Sequence, residues 1–200
     1  MTAGPPVVFL CGPRAGGNSD TAGLAFAEGL ARSGREPRII ALREHAVAPC
    51  RGCGGCSGGR RRCPLDTAGD EAEALFGVLD AAPLVAFASP IYFYHLPALF
   101  KAFIDRAQRR YEIRAAGGEL PGVGGPDAAA RPVYPLLVAG RPRGERLFEG
   151  ALLTLKYFLW PFHLTLAKPS LWRGLDAPGD LARDAAGLAA LADLGEAAGR

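Results

Sequence analysis

Short apolar runs alternate with amphipathic stretches along this chain. Residues 7–11 form an apolar run, β-branched at its start, with prolines before it and Gly12-Pro13 after it. Its length and flanks predict a buried strand. Residues 21–33 carry Leu24, Ala25, Ala27 and Leu30 at helical spacing. Ser19, Asp20 or Thr21 stands where an N-cap belongs, and Gly34 where the helix ends. A second strand is predicted at 38–42 and a second helix at 70–80, through Ala74, Leu75, Val78 and Leu79. Residues 83–88 are apolar on both faces, as a central parallel strand is. Residues 97–110 place Leu99, Phe100, Phe103 and Ile104 on one helical face, with Pro97 in the first turn. A fourth strand follows at 133–139, a helix at 146–159, a fifth strand at 162–167 and an Ala/Leu-rich helix at 181–198.

Strands that alternate with helices imply a parallel sheet covered on both faces. The expectation is an α/β fold: one doubly wound domain over 1–200, with five strands and no internal repeat. Two segments break the rhythm, a Gly-, Cys- and Arg-rich loop at 48–69 and a Gly/Pro-rich loop at 112–131. Loops this long inside a compact domain are usually functional. In doubly wound sheets ligands sit beyond the carboxyl ends of the strands, where strand order reverses. Chemistry is therefore expected in the loops after the first, third and fourth strands.

Composition narrows the class. Apolar residues make up 49% and charged residues 22%, as in a globular chain and unlike a disordered one. A net charge of +3 gives no argument for nucleic acid. Only three of the 23 basic residues are lysine, so the arginine runs read first as compositional bias. The start carries no positive charge, and 7–11 is too short for a signal-peptide core. The longest apolar stretch, near 157–167, contains Pro161 and His163 and falls short of a membrane span. A cytoplasmic protein binding neither nucleic acid nor membrane is expected.

The first-strand loop, Cys11-Gly12-Pro13-Arg14-Ala15-Gly16-Gly17-Asn18-Ser19, runs into a helix N-terminus. Free amides and the helix dipole favour an anion there, glycines allow close approach, and Arg14 adds a forked cation. Asn18, the only asparagine, and the Ser19 and Thr21 hydroxyls add polar groups. Neither the Walker pattern nor the dinucleotide fingerprint is present. A tight turn with a serine cap is the alternative. After the third strand comes Ser89-Pro90-Ile91-Tyr92-Phe93-Tyr94-His95-Leu96-Pro97. Aromatics held between two prolines suit a flat ring ligand. They equally suit an aromatic plug under the sheet edge or a subunit interface.

Four of the five cysteines are crowded together as Cys50-x2-Cys53-x2-Cys56-x6-Cys63. A secreted disulfide scaffold would be smaller and would spread its cysteines. Cysteines at two-residue intervals can converge on one compact cluster. Zinc and redox-active thiols are the competing readings, zinc sites more often using two separated pairs. Arg60, Arg61 and Arg62 precede Cys63 and could offset cluster charge. Cys11 reads as a small core residue.

Gly12, Arg14, Gly17, Asn18 and Ser19, then Ser89 to Tyr92, then Leu96, Pro97, Lys101, Asp105 and Arg106 together carry a resemblance. This combination resembles the NAD(P)H-dependent FMN reductase and iron–sulfur flavoprotein families over roughly residues 7–110. It implies a flavodoxin-like fold and an FMN-dependent oxidoreductase. Such an enzyme moves hydride from NAD(P)H to FMN and on to a flavin, quinone or other small acceptor. Arg14, Asn18 and Ser19, with the backbone up to Gly17 and with Thr21 nearby, would hold the phosphate. Ser89, Pro90, Ile91, Tyr92 and Phe93 would flank the ring, and Gly140 and Arg141 would complete its other edge. Cys50, Cys53, Cys56 and Cys63 would ligate a 4Fe–4S cluster in the iron–sulfur reading, in which ferredoxin is a possible electron donor. The resemblance also implies a homodimer or homotetramer, for which the apolar patch at 157–162 is a candidate surface. A non-catalytic flavin- or zinc-binding sensor module is the rival from another class. No general acid or base is assigned. His95 beside the ring site reads as a hydrogen-bond donor or as merely solvated, and Trp172, Arg173 and Asp176 as caps of the sheet edge.

Overall fold

The computed structural model of the protein describes residues 4–57, 61–118, 120 and 129–200. Strand β1 (Val7–Leu10) is buried along its whole length, and its alternate residues enter two different cores. Val7, Phe9 and the following Cys11 join a phenylalanine-rich cluster with Phe76, Phe87, Phe100, Phe103, Phe158 and Phe162. Val8 and Leu10 join Phe26, Leu30, Leu136 and Val138 on the opposite face. Successive side chains of a strand point to opposite faces, so an all-apolar strand requires helices on both.

That requirement is met. β1 pairs in parallel with β2 (Arg38–Ala41) and β3 (Val85–Pro90), β3 with β4 (Arg131–Ala139), and β4 with β5 (Leu164–Leu166). The resulting order is β2-β1-β3-β4-β5, the five-stranded doubly wound sheet expected from the sequence. Helices α1 (Asn18–Arg32) and α6 (Ala185–Gly199) cover one face. Helices α2 (Ala72–Ala81), α3 (Ala98–Arg106) and α5 (Glu149–Leu159) cover the other. α1 and α6 approach backbone to backbone. A Cβ at Gly29 would run into the Ala192 carbonyl, and one at Gly195 into that of Phe26.

Several boundaries differ from the pattern-based expectation. The edge strand is in two pieces: β5 pairs with the start of β4, and β6 (Ser170–Arg173) with its end. Pro169 lies between them, and a proline cannot donate to the ladder. The predicted strand at 162–167 is thus shorter than expected, because Trp160–Phe162 forms a 3₁₀ turn, and β6 was not foreseen. α1 begins at Asn18 with extended Gly17 at its N-cap, so Ser19, Asp20 and Thr21 lie inside the first turn and cap nothing. α5 begins at Glu149, because Arg146 adopts a left-handed backbone. α6 begins after a separate 3₁₀ turn, where Asp184 accepts the Gly187 amide at 2.9 Å.

The helix expected at 97–110 divides at Ala107 and continues as α4 (Gln108–Ala115). The loop expected at 112–131 therefore begins only after Ala115, and residues 119 and 121–128 of it lie outside the described residues. α4 has almost no apolar stripe, which is why its continuation escaped the periodicity. Charge holds it instead. Arg109 pairs with Asp66 at 3.1 Å, and Arg110 pairs with Asp80 and Glu73 with its guanidinium 5.3 Å from the ring centres of Phe76 and Phe162. Among the described residues, no helix is long and apolar enough to cross a membrane.

Candidate functional site

β1 ends where the Cys11 amide donates to Ala88 of β3 at 2.8 Å, and the chain then curls through Gly12 and Gly16 into α1. The opening amides of a helix have no partner within it. Those of Gly17, Asn18 and Ser19 donate to no group among the described residues. A small cleft of about 140 Å³ opens there, lined by Gly12, Arg14, Gly17, Asn18 and Ser19 together with Pro90, Ile91, Tyr92, Gly140 and Asp176. Gly12 is needed as glycine, since a Cβ would sit 2.9 Å from the Ser19 hydroxyl. Arg14 is exposed at the mouth.

Two of the polar residues nominated here have their side chains engaged elsewhere. Asn18 donates to the Leu175 and Ala177 carbonyls at 3.1 and 2.9 Å and accepts the Leu181 amide at 3.1 Å. It ties the segment after β6 to the start of α1, which leaves its backbone amide for a ligand. Thr21 donates to the Gly17 carbonyl at 3.3 Å and lies outside the cleft lining.

Sequence reading missed the pair behind this loop. The Asp20 side chain is only 3% exposed, accepts the Gly16 amide at 3.0 Å and pairs with Arg43 at 3.0 Å. Arg43 also donates to the Gly12 carbonyl at 3.4 Å. Burial pushes the Asp20 carboxyl above its usual range, although the Gly16 amide and Arg43 pull the other way. No local motif joins these residues; the β1–β2 pairing brings them together.

A larger cleft of about 840 Å³ adjoins the first and shares Ile91, Tyr92, Gly140 and Asp176 with it. Its wall is a tight turn in which Tyr92 and His95 exchange both backbone hydrogen bonds at 2.9 Å. The central residues Phe93 and Tyr94 have φ of 49° and 64°. This is the type I′ pattern, which usually selects Asn-Gly because L side chains are strained there. Phe93 is fully exposed, and Tyr92 and Tyr94 are exposed too, so the aromatics are no plug beneath the sheet. Arg141 donates to the Tyr94 hydroxyl at 3.0 Å and stacks 5.7 Å from its ring centre. A Cβ at Gly140 would collide with the Asp176 carboxylate. His95 lies 3.0 Å from the Thr154 hydroxyl through Nε2. Ser89 is fully buried and donates to the Pro90 carbonyl at 3.0 Å, outside both linings. The joined groove lies beyond the carboxyl ends of β1, β3 and β4, next to the reversal of strand order between β1 and β3.

The cysteine loop is built around a different set of contacts. Arg106, whose side chain is 1% exposed, donates to Asp70 at 2.6 Å, Asp66 at 2.8 Å and the Ala48 carbonyl at 3.2 Å. Arg109 adds a bond to the Arg61 carbonyl at 2.7 Å. Cys50 and Cys53 are exposed, Cys56 and Cys63 half-buried, and all four thiols are free. Among the described residues, no three Cys, His, Asp or Glu side chains are arranged to hold a metal. Ion pairs of Arg106 and Arg109 with Asp66 and Asp70 shape this loop around Cys50, Cys53, Cys56 and Cys63.

Comparison with known proteins agrees with the fold. An iron-sulfur flavoprotein of Methanosarcina thermophila is 28% identical over 117 residues, covering 56% of this chain and 59% of that protein. The chain thus matches about three fifths of the length of that curated relative. An NAD(P)H:quinone oxidoreductase from Methanothermobacter marburgensis superposes with a TM-score of 0.64 at 18% identity, over 97% of this chain and 96% of that one. An FMN-dependent NADH-azoreductase from Bacillus anthracis str. Ames Ancestor, solved in complex with FMN, gives 0.69 at 10% identity, over 98% and 100%. At these identities the structural likeness is one of fold. Residues 6–158, by contrast, match a family directly, and on that match the chain belongs to the NADPH-dependent FMN reductase family.

Proposed function

We propose that this chain is an FMN-dependent oxidoreductase that takes hydride from NAD(P)H and passes electrons to a flavin, a quinone or another small acceptor. One observation carries the reading: a cleft lined by Arg14 and the open amides of a helix N-terminus opens directly into an aromatic-walled cleft. The groove fits FMN on two counts. Gly12 and Gly140 line it and let the Ser19 hydroxyl and the Asp176 carboxylate approach the backbone, where a Cβ would collide with them. Its narrow end holds unclaimed amides beside Arg14.

In this reading Arg14, the Ser19 hydroxyl and the amides of Gly17, Asn18 and Ser19 hold the phosphate. Asn18 and Thr21 brace the turn through their side chains. Pro90, Ile91, Tyr92 and Phe93 flank the ring, Ser89 fixes the strand end beneath them, and Gly140 and Arg141 close the other edge. FMN itself, when bound, supplies hydride acceptance and one- or two-electron release, while the protein supplies orientation and electrostatics. A cytoplasmic location and assembly with a second copy, as homodimer or homotetramer, belong to the same reading. Leu153, Tyr157 and Trp160 along α5 and its end are 58%, 66% and 46% exposed and supply an apolar face for that copy.

The test is a fluorescence titration of FMN with colourless protein, followed by anaerobic mixing of the complex with NADPH and with NADH. Quenching at one FMN per chain and bleaching of the flavin by a nicotinamide are expected. Failure to quench removes the cofactor assignment. Quenching without bleaching leaves a flavin-binding module with no reductase activity. The cysteine spacing and the Methanosarcina thermophila relative favour a second reading, a cluster-bearing electron carrier served by a donor such as ferredoxin. Iron and acid-labile sulfide in protein purified without oxygen decide between the two.

A further inference from the structure

We propose that Asp20 couples the anion loop to protons: when a phosphomonoester settles against Gly12, Gly17 and Ser19, the Asp20 carboxylate takes up one proton from solvent. The proposal rests on the reading that this loop receives the FMN phosphate, and it concerns a residue whose sequence position suggested only a helix cap. Anion sites at helix N-termini are normally furnished with amides and cations. Here a carboxylate lies immediately behind the loop, its side chain 3% exposed. Its Oδ2 accepts the Gly16 amide and faces Arg43, both at 3.0 Å. Its Oδ1 is buried with no hydrogen-bond partner among the described residues. That oxygen lies 3.7 Å from where a Cβ of Gly12 would sit, and Gly12 lines the cleft.

A dianion brought to this cleft meets a second negative charge through a poorly screened interior. Like charges in one site favour the neutral form of the more easily protonated member. The other groups facing Asp20 set the balance. Arg43 holds it ionised, Glu44 from the same 3₁₀ turn opposes that, and the buried Cys11 thiol at the end of β1 stays neutral. In the free protein burial already outweighs Arg43, so the repulsion of a bound dianion acts in the same direction as burial. Neutral Asp20 still accepts the Gly16 amide, so the loop keeps its shape. Asp20 is accordingly a positioning residue with a proton linkage and makes no contact with the reacting ring.

The sign of the effect separates it from the ligand's own titration. Binding that takes up a proton weakens as pH rises, by up to about tenfold per pH unit through the window between the free and bound Asp20 values. The second ionisation of a phosphomonoester, near about pH 6, acts in the opposite direction, because a cationic site prefers the dianion. The experiment is FMN fluorescence titration from pH 5 to 9 of wild type, Asp20→Asn and Arg43→Met. The ligand's contribution is common to all three. Relative to Asp20→Asn, wild type is expected to lose affinity as pH rises through the window. Arg43→Met, lacking the cation that keeps Asp20 ionised, is expected to shift that loss to higher pH. If Asp20→Asn does not fold, the Arg43→Met shift carries the test. Parallel wild-type and Asp20→Asn profiles, or an unmoved window in Arg43→Met, overturn the linkage while leaving FMN binding intact. Absence of quenching in wild type at every pH overturns the cofactor reading and the linkage with it.

Discussion

The Oδ1 of Asn18 accepts the backbone amide of Leu181 across 3.1 Å, joining the first turn of α1 to the segment that leads into α6. The same side chain donates to the Leu175 and Ala177 carbonyls, so it fixes the loop that carries Asp176 over Gly140. Asn18→Ala leaves the buried Leu181 amide without its partner. The expected cost is about 1–3 kcal/mol of unfolding free energy, read by urea denaturation. A variant as stable as wild type would deny Asn18 this bracing role.

Arg14 differs from Asn18 in being exposed and unpaired among the described residues. Arg14→Ala is expected to leave stability within about 0.5 kcal/mol, as at most surface sites. It is expected to weaken FMN by about 1.5–3 kcal/mol, roughly 10- to 150-fold in Kd, the range for a charge-assisted bond. Riboflavin, which lacks the phosphate, should bind both proteins equally. Equal loss for both ligands would place Arg14 away from the phosphate.

Phe93 and Tyr94 hold left-handed backbone in a turn whose geometry favours Asn and Gly. Phe93 makes no buried contact that its loss would sacrifice, being fully exposed. Phe93→Asn should therefore raise the unfolding free energy by about 1 kcal/mol through relief of strain. The same change removes an apolar wall of the wide cleft beside the flavin ring, so FMN affinity should fall and KM for an aromatic acceptor should rise. Thermal unfolding and steady-state kinetics check the two halves. A less stable variant would show that the turn is held by the Phe93 side chain.

Arg106 and Asp70 form a buried pair, with side chains 1% and 8% exposed. Burial pushes the Asp70 carboxyl up, yet Arg106 and the amides of Ala48 and Ala72 outweigh it and hold the value below the usual one. A depressed folded value contributes stability above the unfolded value, and that contribution disappears as pH falls through the folded one. Removing one partner of a buried pair costs about 3–5 kcal/mol. Arg106→Met should show that loss at pH 7 and a much smaller deficit near pH 3, in denaturation measured at both. An equal deficit at both values would mean that packing, and not charge, sets the contribution of Arg106.

The strand–helix rhythm was legible because it rests on local periodicity. The run at 7–11 alternates between two cores as an all-apolar strand must, and 97–106 shows its apolar face without help from any distant residue. Gly12, Arg14 and the Tyr92 turn were legible as candidate chemistry because they follow strand ends in the loops where a doubly wound sheet places ligands. α4 was not legible, since Arg109 and Arg110 hold it through carboxylates on the cysteine loop and α2.

Sequence alone thus determined the class of sheet and singled out the loops after the first and third strands as candidates for ligand binding. Tertiary structure decided which polar side chains remain free. Asn18 and Thr21 find partners in the fold, and Asp20 finds Arg43 across the β1–β2 pairing. Backbone periodicity is written in neighbouring residues, whereas a hydrogen bond or an ion pair is fixed by where strand order places residues far apart in the chain.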